Sequence, residues 1–221
     1  MTIKIDKQIV DCAVISKQPE TPESAAVADV VHMHEKLERP EILVGSTYKV
    51  KTPLSEHALY ITINDIVLNQ GTEHEQRRPF EIFINSKNMD HFQWVVALTR
   101  VISAVFRKGG DATFLVEELK GVFDPKGGYF KRGGRFMPSL VAEIGEAIEN
   151  HMKSIGLLPQ DKLDPHQKAF IAGKKQALAD NDDPDSDYPA SAQLCGKCYT
   201  KAVVYSDGCM TCLSCGDSKC S

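Results

Sequence analysis

No stretch of the sequence stays apolar for anything near the roughly 18 residues that a membrane-spanning helix requires. The opening MTIKIDKQIV alternates charged and apolar side chains and has no apolar signal-peptide centre, so a cytoplasmic protein without membrane contact is expected. Positive charge is also in short supply. Against 30 Asp and Glu there are 26 Lys and Arg, and the resulting formal net charge of -4 argues against a dedicated nucleic-acid binder. Neither a P-loop nor a dinucleotide-binding glycine fingerprint occurs. Cysteine is almost missing from most of the chain: Cys12 stands alone in the first 194 residues and reads as a small core residue on a strand.

The remaining composition, 42% hydrophobic and 25% charged over 221 residues, is that of an ordinary globular chain. It has room for one domain of about 150 residues and a small satellite. Residues 3–16 alternate loosely, as a strand would, and QPETPES reads as a loop. ESAAVADVVHMHEKLE is a helix candidate stopped by Pro40, with His32 and His34 at its surface or edge. From residue 39 to 86 the pattern changes. EILVGSTYKVKT, HALYITINDIVL and PFEIFINS are rich in β-branched and aromatic residues with period-2 stretches, and NQGTEHEQRR separates the last two as a hairpin loop. A one-faced antiparallel sheet is expected there.

Helical patterns come next. In MDHFQWVVALTRVISAVFRKGG, residues Phe92, Val95, Val96, Val101, Ile102 and Val105 fall near helical spacing, and Gly109 and Gly110 end the run. ATFLVEELKGV is shorter. SLVAEIGEAIENHMKSIG sets Leu140, Ile144, Ala147, Ile148 and Met152 on one stripe, with Gly156 as its C-cap. Strands first and helices after predict an α+β domain over residues 1–156, an antiparallel sheet packed by helices. Between two of the helices, FDPKGGYFKRGGRFMPS carries two Gly-Gly pairs and the cations Lys126, Lys131, Arg132 and Arg135. A flexible basic loop is expected, either a candidate anion site or a structural turn. Residues 157–192 read as a flexible acidic linker, with one short helix at PHQKAFIAGKKQALA and the cation-free stretch DNDDPDSDYP.

The other six cysteines lie in residues 193–221, a tethered zinc-ribbon-like module. In a reducing compartment such a cluster is more often metal-binding or redox-active than a set of structural disulfides. Cys195-x2-Cys198 is followed, after thirteen residues, by Cys212-x2-Cys215, which is the spacing of two zinc knuckles. Cys209-x2-Cys212 offers a second register. Cys212 and Cys215 are preferred because glycine follows Cys215 and lets backbone amides turn toward the sulfurs. Zinc would then be held by Cys195, Cys198, Cys212 and Cys215 and would supply most of the module's folding energy. Cys209 and Cys220 remain, or Cys215 and Cys220 in the other register. Two thiols outside a full metal site, near the end of a tethered tail, suit thiol–disulfide exchange with a target.

RPEILVGSTYKVKTPLSEHALYITIND with FEIFINS, together with the tail GCMTCLSCGDSKC, resembles the C-terminal accessory (TSCPD-type) domain of vitamin B12-dependent, class II, ribonucleotide reductases. In particular it resembles the small subunit of enzymes split over two genes. The domain is named for a Thr-Ser-Cys-Pro-Asp stretch, and the matching helix start here, RFMPSLVAEIG, has no cysteine. The resemblance implies an accessory subunit of a two-subunit ribonucleoside-diphosphate reductase, inactive alone. The large catalytic partner would carry adenosylcobalamin. Cys209 and Cys220 (Cys215 if the register shifts) would re-reduce its active-site disulfide and be reduced in turn by a thioredoxin-like protein. A zinc-ribbon module that docks on a protein or nucleic acid, without redox work, is the competing reading. Its cations are only Lys197, Lys201 and Lys219, a poor basis for phosphate affinity.

Overall fold

A computed structural model describes residues 30–34, 36–87, 91–160, 163–177, 187–206 and 208–220. Val31–Ser221 belong to one structural unit. Cys12, the strand expected over residues 3–16, the QPETPES loop and most of DNDDPDSDYP lie outside the described residues.

Three strands, β1 (Val44–Val50), β2 (Leu59–Leu68) and β3 (Gln76–Ser86), form an antiparallel meander in the order β1-β2-β3. Alternation decides which face is buried. Leu59, Ile61 and Ile63 of β2 point inward with Ile82 and Ile84 of β3, while Tyr60 and Phe83 on the other face are exposed. The register shifts between Asn64 and Asp65, leaving Phe80 unpaired as a bulge between Glu81 and Pro79. Beyond the shift, Ile66 and Leu68 join Phe80 and Met33 in a second, smaller cluster.

Helices α1 (Phe92–Lys108), α2 (Phe114–Lys120) and α3 (Leu140–Ser154) cover the inward face. On α3 the stripe Ile144, Ala147, Ile148 and Met152 is buried as its spacing implies, and Gly156, at φ 82°, turns the chain out of the helix. Gly145 lets α2 approach, since a Cβ there would sit 2.9 Å from Leu119. Of the stripe expected on α1, Ile102 is buried and Val95 and Val105 pack against the core, but Phe92, Val96 and Val101 are exposed, and Thr99, Ser103 and Phe106 complete the buried face instead. The reason is a polar contact: the Ser103 hydroxyl accepts from the backbone N–H of Ile82 at 3.0 Å. Capping this strand amide rotates the helix toward its small polar residues, because an unsatisfied buried amide costs more than a half-exposed valine.

The helix expected at ESAAVADVVHMHEKLE is not found in its described part, residues 30–34 and 36–38, which are irregular. Asn69 holds this segment by accepting from the Val31 N–H and donating to the Val31 carbonyl. Met33 is buried against β2 and β3, and its carbonyl passes over Gly109, where any Cβ would collide at 2.0 Å. Tertiary contacts override helix propensity here. His32 and His34 are exposed.

Residues 126–135 form part of a hairpin rather than a flexible loop. Strands β4 (Tyr129–Phe130) and β5 (Phe136–Met137) pair antiparallel, with Gly133 and Gly134 at positive φ in the turn. Helix α4 (Pro165–Ala177) lies within the stretch read as linker. After it come β6 (Gln193–Leu194), β7 (Lys201–Ser206), β8 (Cys209–Cys212) and β9 (Ser218–Cys220), an antiparallel sheet in that order. Ile171 of α4, Leu163, Tyr188 and Ala192 pack with Ala202, Val204, Cys212 and Leu213 in one cluster. The chain is thus a mixed α+β protein, its antiparallel sheets accompanied by four helices among the described residues.

Candidate functional site

Two similar turns present four sulfurs to one point. In the first, the Tyr199 N–H donates to the Cys195 carbonyl at 3.0 Å, and Tyr199 takes φ 54°. In the second, the Gly216 N–H donates to the Cys212 carbonyl at 3.0 Å, and Gly216 takes φ 75°. Each CxxC therefore closes on a left-handed residue four positions after its first cysteine. At the second turn the left-handed backbone is what favours glycine, and Leu163 and Ile171 pack beside it. The Sγ atoms of Cys195, Cys198, Cys212 and Cys215 all lie within 4.8 Å of one another, with Cys195 to Cys215 at 3.8 Å and Cys198 to Cys212 at 3.7 Å. A tetrahedron with metal–sulfur bonds of about 2.3 Å has edges of roughly 3.8 Å. The four sulfurs fit a zinc-like ion, and four protein ligands leave no open position for chemistry.

Electrostatics agree with that use. Burial pushes the Cys212 and Cys215 thiols above the ordinary range; at Cys198 burial also raises the thiol, but hydrogen bonds from Thr200 outweigh it and bring the group down to about 7. Four adjacent thiols cannot all ionise in a half-buried site without a cation to offset their repulsion. A bound divalent ion supplies that charge and ties the two knuckles together.

Cys209 and Cys220 are excluded from this group. They face each other across the β8–β9 pairing and are joined by a disulfide. Cys220 is exposed and Cys209 half-buried at the edge of the sheet. Of the two registers the sequence permits, the arrangement uses Cys212 with Cys215 as the second knuckle. β8 runs Cys209–Cys212, so the sulfurs at its two ends serve different clusters.

The four cations expected as an anion loop are dispersed. Lys131 pairs with Glu143 at 2.9 Å and Glu146 at 2.8 Å, and Arg135 pairs with Glu146. Tyr129 donates to Glu143. Burial depresses Lys131, but hydrogen bonds and charge from Glu146 and Glu143 outweigh it and hold the group above the ordinary lysine range. The anion met by Lys131 and Arg135 is thus the protein's own pair of buried α3 carboxylates. Lys126 and Arg132 are exposed. The pairing fastens the β4–β5 hairpin to α3, and the hairpin in turn holds the cysteine module. Phe136 N–H donates to the Tyr199 carbonyl at 2.7 Å, Lys201 N–H to the Gly134 carbonyl at 2.8 Å, and Arg135 bridges to Thr200.

One buried polar group has no signature in the sequence. Asp65, 1% exposed, accepts from Arg77 at 2.7 Å and lies 2.8 Å from His151 Nε2, whose Nδ1 is 2.8 Å from the Tyr48 hydroxyl. The three residues joining Asp65 come from β1, β3 and α3, so no local spacing announces them.

Residues 29–152 match the family model of the TSCPD domain, more than half of the chain. The chain belongs to the TSCPD domain family. TSCPD domains are found in B12-dependent ribonucleotide reductases, which links the chain to that enzyme family. No curated protein and no solved structure matches it. The matched region covers the sheet and ends inside α3, leaving the cysteine module outside. In RFMPSLVAEIG, the helix start that lacks the family name's cysteine, Ser139 caps α3. Its hydroxyl accepts from the Ala142 N–H at 3.0 Å and donates to the Val122 carbonyl at 2.7 Å. Among the described residues, no helix is long and apolar enough to cross a membrane.

Proposed function

We propose that this TSCPD protein is the small accessory subunit of an adenosylcobalamin-dependent ribonucleotide reductase and that Cys209 and Cys220 re-reduce the active-site disulfide of its large catalytic partner. The observation that carries the reading is the separation of the cysteines. Four converge on one point, and the other two pair with each other at an exposed sheet edge.

Exchange would begin from the reduced pair. The Cys220 thiolate attacks one sulfur of the partner's disulfide, breaking that bond and releasing a partner thiolate, which takes a proton. Cys209 then attacks Cys220 in the mixed disulfide. The second partner sulfur leaves, and the Cys209–Cys220 bond forms. Two electrons pass to the partner, and a thioredoxin-like donor in the cytoplasm returns them. The four-cysteine metal site shapes the module around the pair and takes no part in the exchange. Adenosylcobalamin belongs to the large subunit, and the complex acts as a ribonucleoside-diphosphate reductase.

The docking of the module on the β4–β5 hairpin favours a second reading, a purely structural subunit. Reconstitution with the large subunit separates the two. Under a thioredoxin system, Cys209→Ser with Cys220→Ser should stop after about one turnover, and a small dithiol reductant should restore cycling. Unchanged multiple turnover would sink the redox role and leave the structural one.

A further inference from the structure

A groove of about 560 Å3 runs between β3 and α1, on the edge of the strand away from β2. β3 ends its sheet, so alternate residues direct their backbone N–H and C=O outward, away from β2. Ile82 is one of these, since its N–H donates to Ser103 of α1. The rows Ile63↔Ile82 and Ile61↔Ile84 follow each other without a shift. Ile84 therefore directs its N–H and C=O to the same side, where they meet no partner among the described residues. α1 returns along β3, with Ser103 against Ile82 and Arg107 over the Phe80 ring at 5.9 Å. One helical turn rises about as far as two strand residues, which sets Thr99 level with Ile84. The Thr99 hydroxyl donates instead to the Val96 carbonyl at 2.9 Å. Ser103 caps one outward amide, and the next outward pair is left open.

The walls suit an apolar chain that carries an anion. Phe83, Phe92 and Val96 line the groove and are exposed. Arg100 lines it too, exposed and without an ion pair among the described residues. The one acid in the lining, Glu81, is held by Arg39 and Asn64. A strand added along this edge can exchange bonds with Ile84 but not with Ile82, whose amide Ser103 occupies. Pairing stops there, beside Arg100, which lies three positions from Ser103 and so neighbours it on the helix surface. A chain terminus suits the place where pairing stops, and a carboxylate suits an unpaired guanidinium. We propose that this groove binds the free C-terminus of a partner protein as an added strand, antiparallel to β3. The penultimate residue exchanges backbone hydrogen bonds with Ile84, apolar side chains rest on Phe83, Phe92 and Val96, and the terminal carboxylate meets Arg100. The proposal does not depend on the redox role, since it concerns peptide binding to this chain alone.

The test is fluorescence anisotropy of the full chain with a panel of labelled hexapeptides. Each carries Ser-Ser and then four residues drawn from Val, Ile, Thr, Phe and Tyr, and is made both with a free C-terminal carboxylate and as the amide. At least one free peptide should bind, and its amide should bind about ten-fold or more weakly. Arg100→Glu and Val96→Asp should each cause a loss of that order, while Lys168→Glu, at an exposed position of α4, should change affinity less than about two-fold. A methyl group on the penultimate peptide nitrogen should abolish binding, whereas one on the preceding residue, directed away from β3, should be tolerated. Val96 and Arg100 are exposed, and an unchanged melting temperature would show that the fold survives. No binding of any peptide at about 1 mM protein would overturn the proposal, as would equal losses from Lys168→Glu and the groove variants. Amides that bind as tightly as the free peptides would overturn the C-terminal assignment. A silent methyl group on the penultimate nitrogen would overturn the strand pairing.

Discussion

The sheet-and-helix body and the cysteine module are stabilised by different means. The body's main cluster buries fifteen residues, all apolar, drawn from two strands, three helices and the α1–α2 connection. The module's cluster buries eight, of which two are cysteines and three, Ile171, Tyr188 and Ala192, come from the segment before it. The first is a core that hydrophobic burial can hold; the second is smaller, and it surrounds four cysteines placed so that a metal ion could join them. A single chain thus combines a region whose stability is distributed over many side chains with one gathered round four sulfurs. The β4–β5 hairpin joins them through Glu143 and Glu146.

The largest effect should come from Cys212→Ser. Structural zinc supplies roughly 10–16 kcal/mol of apparent binding energy to small modules, so losing one ligand should unfold residues 193–220. Hydrogen exchange should show those amides unprotected and the amides of β2 and α3 still protected. If the β2 and α3 amides open as well, the two regions are not energetically distinct. Ile148→Ala is the reciprocal change. It removes a fully buried side chain from α3 and should cost about 2–5 kcal/mol in denaturant unfolding, with zinc content unaltered.

Lys131→Met attacks the junction. It leaves Glu143 buried without its cation and should cost about 3 kcal/mol. Differential scanning calorimetry should then resolve module and body as separate transitions.

A smaller effect is expected from acid. The Arg39 hydrogen bond holds the Glu81 carboxyl below its ordinary value of 4.5, and at Glu149 burial is outweighed by Lys120 and Lys153 with the same result. Both carboxylates are more acidic in the folded state, so their contribution is full above about pH 4.5 and is lost as pH falls through the folded values. Arg39→Met should bring the acid loss to higher pH in a melting series. Smallest of all should be reduction of Cys209–Cys220. It frees only β9, and metal analysis after mild reduction should find zinc retained. Zinc lost in step with the disulfide would show that the two sulfur groups are not independent.

Much of this organisation was legible in the residues. Period-2 runs located β1, β2 and β3 because alternation is a property of the strand itself, and the Ile144, Ala147, Ile148 and Met152 stripe announced the buried face of α3. Paired CxxC spacing pointed to a tetrathiolate site, since each knuckle is closed by bonds within five residues. What failed was decided at a distance. The described end of the first helix candidate yields to Asn69 and to the space above Gly109. The α1 stripe yields to a strand amide that needed Ser103.

The residues alone settled the class of structure, the four-plus-two division of the terminal cysteines and the kinship carried by the strand segments, all features written over short spans. Three-dimensional packing chose between Cys209 and Cys215 as the sulfur that joins the cluster. It also paired Lys131 and Arg135 with buried acids and brought Lys49, Lys51, Arg132 and Lys201 around one cleft. Those outcomes depend on which β8 side chain faces inward and on the approach of elements distant in sequence, as when Lys49 and Lys201 line one cleft. Packing brings such residues together, and no local pattern records it.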